Sequence, residues 1–258
     1  MKIDIHKIFE ESEIYLSDMT CIDIVGDNDN AKQFLDGQVT SDIALLSDNN
    51  KVQLSSICNQ KGYVVCDFFL IWEEGFKILL DKNKYPKLIS ELEIFARFSK
   101  VKLVESKVNI IGEVSDKKNE RTFLKNKFGN LGIKLSDNLD LNLPQITSER
   151  WQVLNLLSNN LLLTENYLGK YRPDEIMYDD MRVSFTKGCF RGQEIIARIK
   201  YRGKKKYSIN KIASNTKEGL NSENHSLLCD PLEFDNYYYG LARFDSDKTT
   251  NESDLIIL

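Results

Sequence analysis

The sequence predicts an α+β fold. Segments that alternate apolar and polar residues, as half-buried strands do, are mixed with segments whose apolar residues recur at helical spacing. They do not follow the regular β-α-β succession that builds a parallel sheet, which favours antiparallel strands with separate helices. The chain has 258 residues, of which 41% are hydrophobic, so it is long enough to bury a substantial core.

The first elements predicted are a strand, a helix and a meander. Residues 21–25 alternate as a strand, and Ala31, Phe34 and Leu35 then form the apolar face of a helix that ends near Gly37. Three further strands follow, and the turn-prone letters NQKG separate the first two of them. These strands are expected at residues 52–59, 63–72 and 76–80.

A second helix and a second strand-rich unit are expected next. Pro86 opens a helix over residues 84–98, and its inner face is predicted to carry Leu88, Leu92, Phe95 and Ala96. The letters VKLVE then resume a strand. Residues 109–142 read as strand, helix around 120–128, turn and strand.

The last third of the chain predicts a short strand, a helix and a terminal β unit. Val183 and Phe185 suggest the strand, and residues 193–200 suggest a helix with Ile195, Ile196 and Ile199 facing inward. Beyond residue 203 the strand-like segments LLCDPLEF, YYYGLARF and LIIL indicate a small β domain.

Charge and hydropathy exclude several classes of protein. The net charge is −4, so the overall field does not favour nucleic acid and any polyanion site must be local. No apolar run approaches the ~20 residues that cross a bilayer, and the acidic start has no signal-peptide core. We therefore expect a cytoplasmic protein that does not engage the membrane.

Cysteine and histidine usage argues against a metal centre. The five cysteines are widely spaced with no CxxC pair, which fits neither a disulfide framework nor a zinc or iron–sulfur ligand set. The two histidines, His6 and His225, lie near opposite ends of the chain. No bound metal and no histidine-based catalytic triad are expected.

The segment with the strongest chemical signal is Arg182 to Lys206, which holds nine basic residues and one acidic residue, Glu194. Cys189 lies there in a glycine-flanked turn just before a predicted helix. The helix N-terminus, Lys187 and Arg191 would favour its thiolate if the side chain faces solvent. Cys189 is therefore the candidate nucleophile or redox residue, and the alternative is a buried small hydrophobe. The other four cysteines lie in strand-like runs and are expected to be structural.

The basic residues after Cys189 leave two interpretations open. Arg198, Lys200, Arg202 and Lys204–Lys206 surround Gly203 and could bind phosphate or carboxylate, or they could form a solvated face. Tyr201 and Tyr207 flank them and permit stacking on a planar ligand.

The letters KGCFRGQEIIARIKYRGKKK resemble the signature of the YgfZ family, folate-binding relatives of the glycine-cleavage T-protein that are linked to iron–sulfur clusters and tRNA modification. The matching motif residues are Lys187, Gly188, Cys189, Phe190, Gly192, Gln193, Glu194, Ala197, Arg198, Tyr201, Arg202 and Gly203. FLDGQVTSD, NQKGYVVCDF and FARFSKVKL resemble further landmarks of the family in the same order, so the resemblance covers roughly residues 15–207.

The resemblance implies a T-protein-like folate-binding fold. It consists of two intertwined ferredoxin-like subdomains around a central pocket, residues 1–202, and a short C-terminal β-barrel, residues 203–258. The implied cofactor is tetrahydrofolate or a one-carbon derivative, held near Trp151, Met19 and Gln38, with Cys189 at the rim of the pocket. Lys187, Gly188, Gly192, Gln193, Glu194, Arg198 and Arg202 would support the motif.

The implied function is that of a folate-binding accessory protein for iron–sulfur cluster assembly or repair, and through it tRNA modification. Its partners would be the cluster-assembly machinery or client enzymes, with tRNA on the basic patch Arg198–Lys206. Val65 stands where the T-protein has its catalytic carboxylate, which argues against aminomethyl transfer. A one-carbon transferase that uses Asp67 or Glu194, and a non-catalytic tRNA- or protein-binding scaffold, are the alternatives.

Overall fold

The computed structural model describes residues 3–126, 128–139, 141–178, 181–203, 207–245 and 256–258. Within them five α-helices occur: α1 (Ile5–Ile8), α2 (Asn28–Gln38), α3 (Tyr85–Phe98), α4 (Ser148–Leu157) and α5 (Gln193–Arg202). The strands are β1 (Ser12–Tyr15), β2 (Met19–Val25), β3 (Val52–Cys58), β4 (Val64–Trp72), β5 (Phe76–Asp81), β6 (Lys102–Ser106), β7 (Asn109–Ser115), β8 (Thr122–Asn126), β9 (Gly129–Ser136), β10 (Tyr207–Ser214), β11 (His225–Leu227), β12 (Leu232–Phe234), β13 (Tyr237–Asp245) and β14 (Ile256–Ile257).

The strands form three sheets, which confirms the predicted α+β class. The first sheet is five-stranded with the order β3-β4-β5-β2-β6, and the second is four-stranded with the order β1-β7-β9-β8. The third contains β11-β13-β10-β14, with β12 also paired to β13. All the strand pairs that define these sheets are antiparallel.

The third sheet does not close into the predicted barrel within the described residues. Its outer strands β11 and β14 are only three and two residues long, and no pairing joins them there. Strands this short offer too few hydrogen bonds to complete a closed ladder. The proposed division at residues 202 and 203 stays a prediction.

The first sheet separates two hydrophobic cores. Alternate residues of β4 point to opposite faces, so Phe69 and Ile71 join one core while Phe68 and Leu70 join the other. Helices α2 and α3 cover the second of these faces through Phe34, Leu35, Leu88 and Leu92. The core on the first face continues through α4 into the second and third sheets.

Several predicted elements are confirmed, but helical periodicity placed one residue of α3 wrongly in the core. Strands β2 to β5 and helices α2, α3 and α5 occur where the pattern placed them. Leu88, Leu92 and Ala96 are buried on the inner face of α3 as expected, whereas Phe95 remains 36% exposed.

Two predicted elements are wrong. The helix expected around 120–128 is strand β8, because Leu124 and its neighbours pair with β9 and this pairing outweighs local helical preference. The strand expected at Val183 and Phe185 is irregular chain, since Ser184 donates its backbone N–H to the Thr40 carbonyl instead of joining a ladder. No helix among the described residues has the length and apolar character needed to span a bilayer.

Candidate functional site

A cavity of about 190 Å³ lies where the first sheet, α4 and the loop between β11 and β12 meet. Its walls are mainly apolar and its floor is polar. The apolar walls include Leu16, Met19, Leu79, Trp151, Leu161, Leu163, Leu228 and Leu232. A concave apolar site with a few convergent polar groups is typical of a small-molecule pocket.

Asp67 on β4 forms the floor of the cavity and is fully buried. Its Oδ1 atom accepts a hydrogen bond from Lys84 Nζ at 2.5 Å. Its Oδ2 atom accepts from the Leu163 backbone N–H at 2.9 Å and lies 2.7 Å from the Tyr178 hydroxyl. Arg182 Nη1 approaches the same oxygen at 3.3 Å. A buried carboxylate is thus matched to two cations and two neutral donors.

These partners keep Asp67 ionised. Burial alone would raise the pKa of its carboxyl group, but the charges of Lys84 and Arg182 and the hydrogen bonds from Lys84 and Tyr178 lower it below its ordinary value. Asp67, Lys84 and Arg182 together carry one net positive charge, and Asp18, Asp81 and Asp230 line other parts of the cavity. Asp67 is the only acceptor of the Lys84 ammonium among the described residues, so the ammonium retains donor capacity toward the cavity.

Trp151 forms one wall and is held from three sides. Thr147 caps α4 by accepting the Arg150 backbone N–H, which fixes the first turn that carries the indole. The ring packs on Gly112 of β7 so closely that a Cβ atom there would lie 2.8 Å from it. The Phe123 ring meets it edge-on, with centroids 6.4 Å apart. The indole is 4% exposed and therefore rigidly placed.

The structure brings two of the three predicted folate-binding residues together. Met19, at the start of β2, lines the same cavity as Trp151. Gln38 does not line it, because it is the last residue of α2, which covers the opposite face of the first sheet. Its Oε1 atom is buried with no hydrogen-bond partner among the described residues.

Cys189 is exposed, whereas the other four cysteines are buried, and all five are free thiols. Burial raises the pKa of Cys21, Cys58 and Cys66 to about 12, and that of Cys229 to about 11. Those thiols stay protonated at neutral pH, as expected of structural cysteines. Cys189 lines a surface groove with Gln60, Phe190, Gln193 and Ile195, which we call the thiol groove. The groove and the cavity share no lining residue, so the structure does not bring Cys189 to the rim of the cavity.

The two cations expected to activate Cys189 have other partners. Lys187 Nζ is almost fully buried and donates to the carbonyls of Asp36, Val39 and Ser41 at 2.8–3.0 Å. Arg191 Nη1 pairs with Glu91 of α3 at 3.0 Å. Lys187 therefore ties the motif to the end of α2, and neither cation is dedicated to the thiol.

The remaining motif residues divide into packing and surface positions. Gly192 has a φ of +84°, and a Cβ there would lie 2.4 Å from the Asn59 carbonyl, so the turn before β4 reaches the start of α5 only because this residue is glycine. The Gly188 backbone lies beside the Asp36 carboxylate. Gln193 Oε1 accepts the Phe190 backbone N–H at 3.4 Å.

Glu194, Arg198 and Arg202 are exposed along α5. Lys204–Lys206, which complete the predicted basic patch, lie outside the described residues.

Sequence reasoning missed part of the cavity. Lys84, the Leu163 backbone, and the neighbouring residues Tyr178 and Arg182 converge on Asp67 from three different segments, and no local pattern links these segments. The loop Leu228–Leu232 also enters from the C-terminal sheet. Asp67 itself was available from the sequence as a candidate carboxylate, and Val65 packs on the face of β4 opposite the cavity. No cluster of metal-ligating side chains occurs among the described residues.

Known proteins include some that are similar to this chain in sequence and one that is similar in fold. No protein-family model matches the chain. The tRNA-modifying protein YgfZ of Vibrio atlanticus is 26% identical over 238 residues, which cover 81% of this chain and 72% of that protein. YgfZ of Colwellia psychrerythraea is 24% identical over 244 residues, which cover 81% and 74%. The chain is thus similar in sequence to the YgfZ proteins over most of its length.

The fold of the chain is similar to that of a solved structure. The glycine cleavage system aminomethyltransferase T of Bartonella henselae superposes with a TM-score of 0.61, covering 98% of this chain and 83% of that one at 11% identity. Both the predicted resemblance to YgfZ and the predicted T-protein-like fold are thus confirmed.

Proposed function

We propose that this protein binds a reduced folate in the cavity above Asp67 and supports iron–sulfur enzymes, and through them tRNA modification, by means of the Cys189 thiol. The observation that carries the proposal is the Asp67–Lys84 pair, a buried acceptor and donor side by side under an indole wall. In this proposal the protein acts in the cytoplasm, where free thiols persist.

The residues present fit a pterin ring. A pterin offers an amide-like edge of alternating donors and acceptors, which Lys84 and the remaining lone pair of Asp67 Oδ1 complement. Trp151 and Met19 supply apolar contact for its faces. When bound, tetrahydrofolate supplies a carrier for one-carbon units. The chain's own residues bind it, orient it and exclude water from the floor.

A one-carbon transferase is less well supported. Val65 has no group that could take a proton, and Glu194 lies on the thiol groove. Asp67 faces the cavity, but Lys84, Arg182, Tyr178 and Leu163 stabilise its charged form, which makes it a weak base. The proposal therefore assigns Asp67 to binding.

Folate binding is testable with the two tryptophans as reporters. The Trp72→Phe variant retains Trp151 as its only tryptophan. We expect 5-formyltetrahydrofolate to quench its emission saturably, because the pterin would lie against the indole. The Trp151→Phe variant, which reports from Trp72 alone, controls for absorption by the ligand. Unsaturable quenching that is equal in both variants would refute the folate site.

The role of Cys189 is tested separately. An aromatic disulfide reagent should label one thiol quickly in the native protein, because only Cys189 is exposed. Cys189→Ser should retain folate affinity and lose support of iron–sulfur enzyme activity in cells, whereas the buried-site control Cys21→Ser should retain both if it folds. Full activity of Cys189→Ser would remove the thiol from the mechanism.

A further inference from the structure

The outer face of α5 carries three exposed side chains that the folate proposal does not use. Arg198, Tyr201 and Arg202 are spaced i, i+3 and i+4, so they share one face of the helix. Tyr201 is 72% exposed, more than any other large apolar or aromatic side chain described except Phe98. We call this set the α5 face.

Tyr201 is oriented by a neighbour. The Phe185 ring contacts it edge-on, with centroids 5.9 Å apart and an interplanar angle of 74°. The Lys200 ammonium lies 5.4 Å from the centroid of the same Phe185 ring. A fixed aromatic ring among cations loses little rotamer entropy when a planar partner stacks on it.

Helix electrostatics accounts for only part of this arrangement. Cations in the last turn of a helix are favoured by its dipole, which explains the presence of Arg202. Two arginines at i and i+4 repel each other, and in the described part of the chain no ion pair joins either of them to a carboxylate. Neither effect explains an aromatic ring left in water between them.

We propose that the α5 face binds an unpaired segment of nucleic acid, in which a base stacks on Tyr201 and Arg198 and Arg202 contact the flanking phosphates. Stacking on an aromatic side chain requires a base that is free of its helix, which favours a loop or single strand over a duplex. The inference goes beyond the folate proposal and does not depend on it.

The position of the α5 face relative to the thiol groove gives the proposal a functional consequence. The groove is lined by the first residues of α5, and the α5 face occupies its last turns. With a rise of 1.5 Å per residue, Tyr201 lies about 12 Å along the helix axis from Gln193, the first residue of α5 in the groove. A strand held at Tyr201 would therefore extend within a few nucleotides of Cys189.

The test is fluorescence anisotropy of the full chain with a labelled, unstructured 12-nucleotide RNA at low salt. The same sequence as DNA and as an RNA duplex provides the comparison. Tyr201→Ala should weaken binding of the single strand by roughly tenfold, and Tyr201→Phe should retain it, because stacking needs only the ring. The matched control is Phe98→Ala, an exposed aromatic residue in the last turn of α3.

The arginines are tested by salt dependence. Arg198→Gln with Arg202→Gln should reduce the slope of log affinity against log salt by about 1.4, since each phosphate contact on a single strand contributes about 0.7. All these side chains are exposed, so melting temperatures should not change. Binding of RNA or of DNA single strands supports the proposal, and the ratio between them identifies the natural ligand.

Three results would overturn the proposal. They are no binding of either single strand by the wild-type chain, tighter binding of the duplex, and an affinity of Tyr201→Ala equal to that of wild type. Binding of phosphatidylserine vesicles without binding of single strands would assign the α5 face to a membrane surface instead. None of these results depends on whether the cavity binds folate.

Discussion

At the scale of single residues, the protein places a carboxylate where a hydrophobic core would be expected. Asp67 is tolerable there because Lys84, Arg182, Tyr178 and the Leu163 backbone satisfy both of its oxygens. An arrangement of this kind adds little net stability over an apolar core, but it is costly to break. Such a buried polar cluster under a cavity is better explained by ligand binding than by stability.

Removing the Asp67 carboxylate should therefore destabilise the folded protein strongly. We expect Asp67→Asn to lower the free energy of unfolding by about 3–5 kcal/mol, because two buried cations lose their counter-charge. Asp23→Asn is the control, since it breaks the Lys77–Asp23 pair at 2.7 Å in a partly exposed position of the same sheet, where about 1 kcal/mol or less is expected. Urea denaturation measures both, and equal losses would contradict the assignment.

The same residue predicts a pH dependence. The pKa of Asp67 is lowered in the folded state, so its contribution is fully present above the unfolded value, about 3.9, and is lost as the pH falls through the folded pKa. Wild-type protein should therefore lose stability more steeply than Asp67→Asn below about pH 4. Denaturation at a series of pH values tests this, and parallel curves would show that another carboxylate controls acid unfolding.

At the scale of elements, most of the motif residues whose contacts the structure gives are involved in packing between elements. The end of α2, the turn before β4 and the start of α5 meet through Lys187, Gly62 and Gly192. The Gly62 backbone packs on Ile195 and Ile196, and Gly192 packs on Asn59. The segments that resemble one family therefore come together to hold the thiol groove in place.

Gly192→Ala should disrupt the contact between the start of α5 and the turn before β4. The new Cβ would combine a left-handed backbone conformation with a 2.4 Å approach to the Asn59 carbonyl, and we expect a loss of more than about 2 kcal/mol. Gly169→Ala is matched in φ, at +75°, but meets nothing within 4 Å, so about 1 kcal/mol is expected. Thermal unfolding of the two variants compares them, and similar losses would exclude close packing as the cause.

The contact between β7 and α4 links packing to the cavity. Gly112→Ala would bring a methyl group to 2.8 Å from the Trp151 ring, so the indole must shift. We expect a loss of about 1–3 kcal/mol in stability together with weaker folate quenching of Trp151. Gly37→Ala, which meets no atom within 4 Å, is the control and should retain folate quenching. Unchanged quenching in Gly112→Ala would show that the indole position is unimportant for binding.

At the scale of the whole molecule, one core joins the three sheets. Phe69 of the first sheet, Val114 of the second and Tyr239 of the third belong to one cluster of buried side chains, which also contains Trp151 and Leu154 of α4. The cavity likewise takes its walls from the first sheet, α4 and the C-terminal loop. The C-terminal sheet is therefore part of the site.

A shared core predicts cooperative unfolding. We expect far-UV circular dichroism and Trp151 emission of the Trp72→Phe variant to report the same urea midpoint. Leu241→Ala, deep in the third sheet, should move both midpoints together because Leu241 belongs to the core that contains Trp151. Two separate transitions would show that the C-terminal sheet unfolds independently.

The sequence was sufficient for the features that depend on local patterns. Alternation and helical spacing located β2 to β5, α2, α3 and α5. The motif of residues 187–203 resembles that of the YgfZ proteins and distinguished Cys189 from the other four cysteines, and Cys189 is the exposed one. Local pattern failed where pairing overrode it, as at β8, and where a side chain's neighbours come from elsewhere, as at Phe95.

The cavity could not be predicted from the sequence, because its polar residues also become neighbours only through contacts between distant parts of the chain. Asp67, Lys84, Tyr178 and Arg182 span more than one hundred positions, and only the folded chain brings polar atoms of the other three within 3.3 Å of the Asp67 carboxylate. Coulombic and hydrogen-bonding contacts act over a few ångströms in space, whatever the separation along the chain. Helix and strand periodicity act between near neighbours in the chain. The residues of the motif can therefore be recognised in the sequence alone. The polar floor of the cavity and the hydrogen-bond partners of Lys187 depend on the fold.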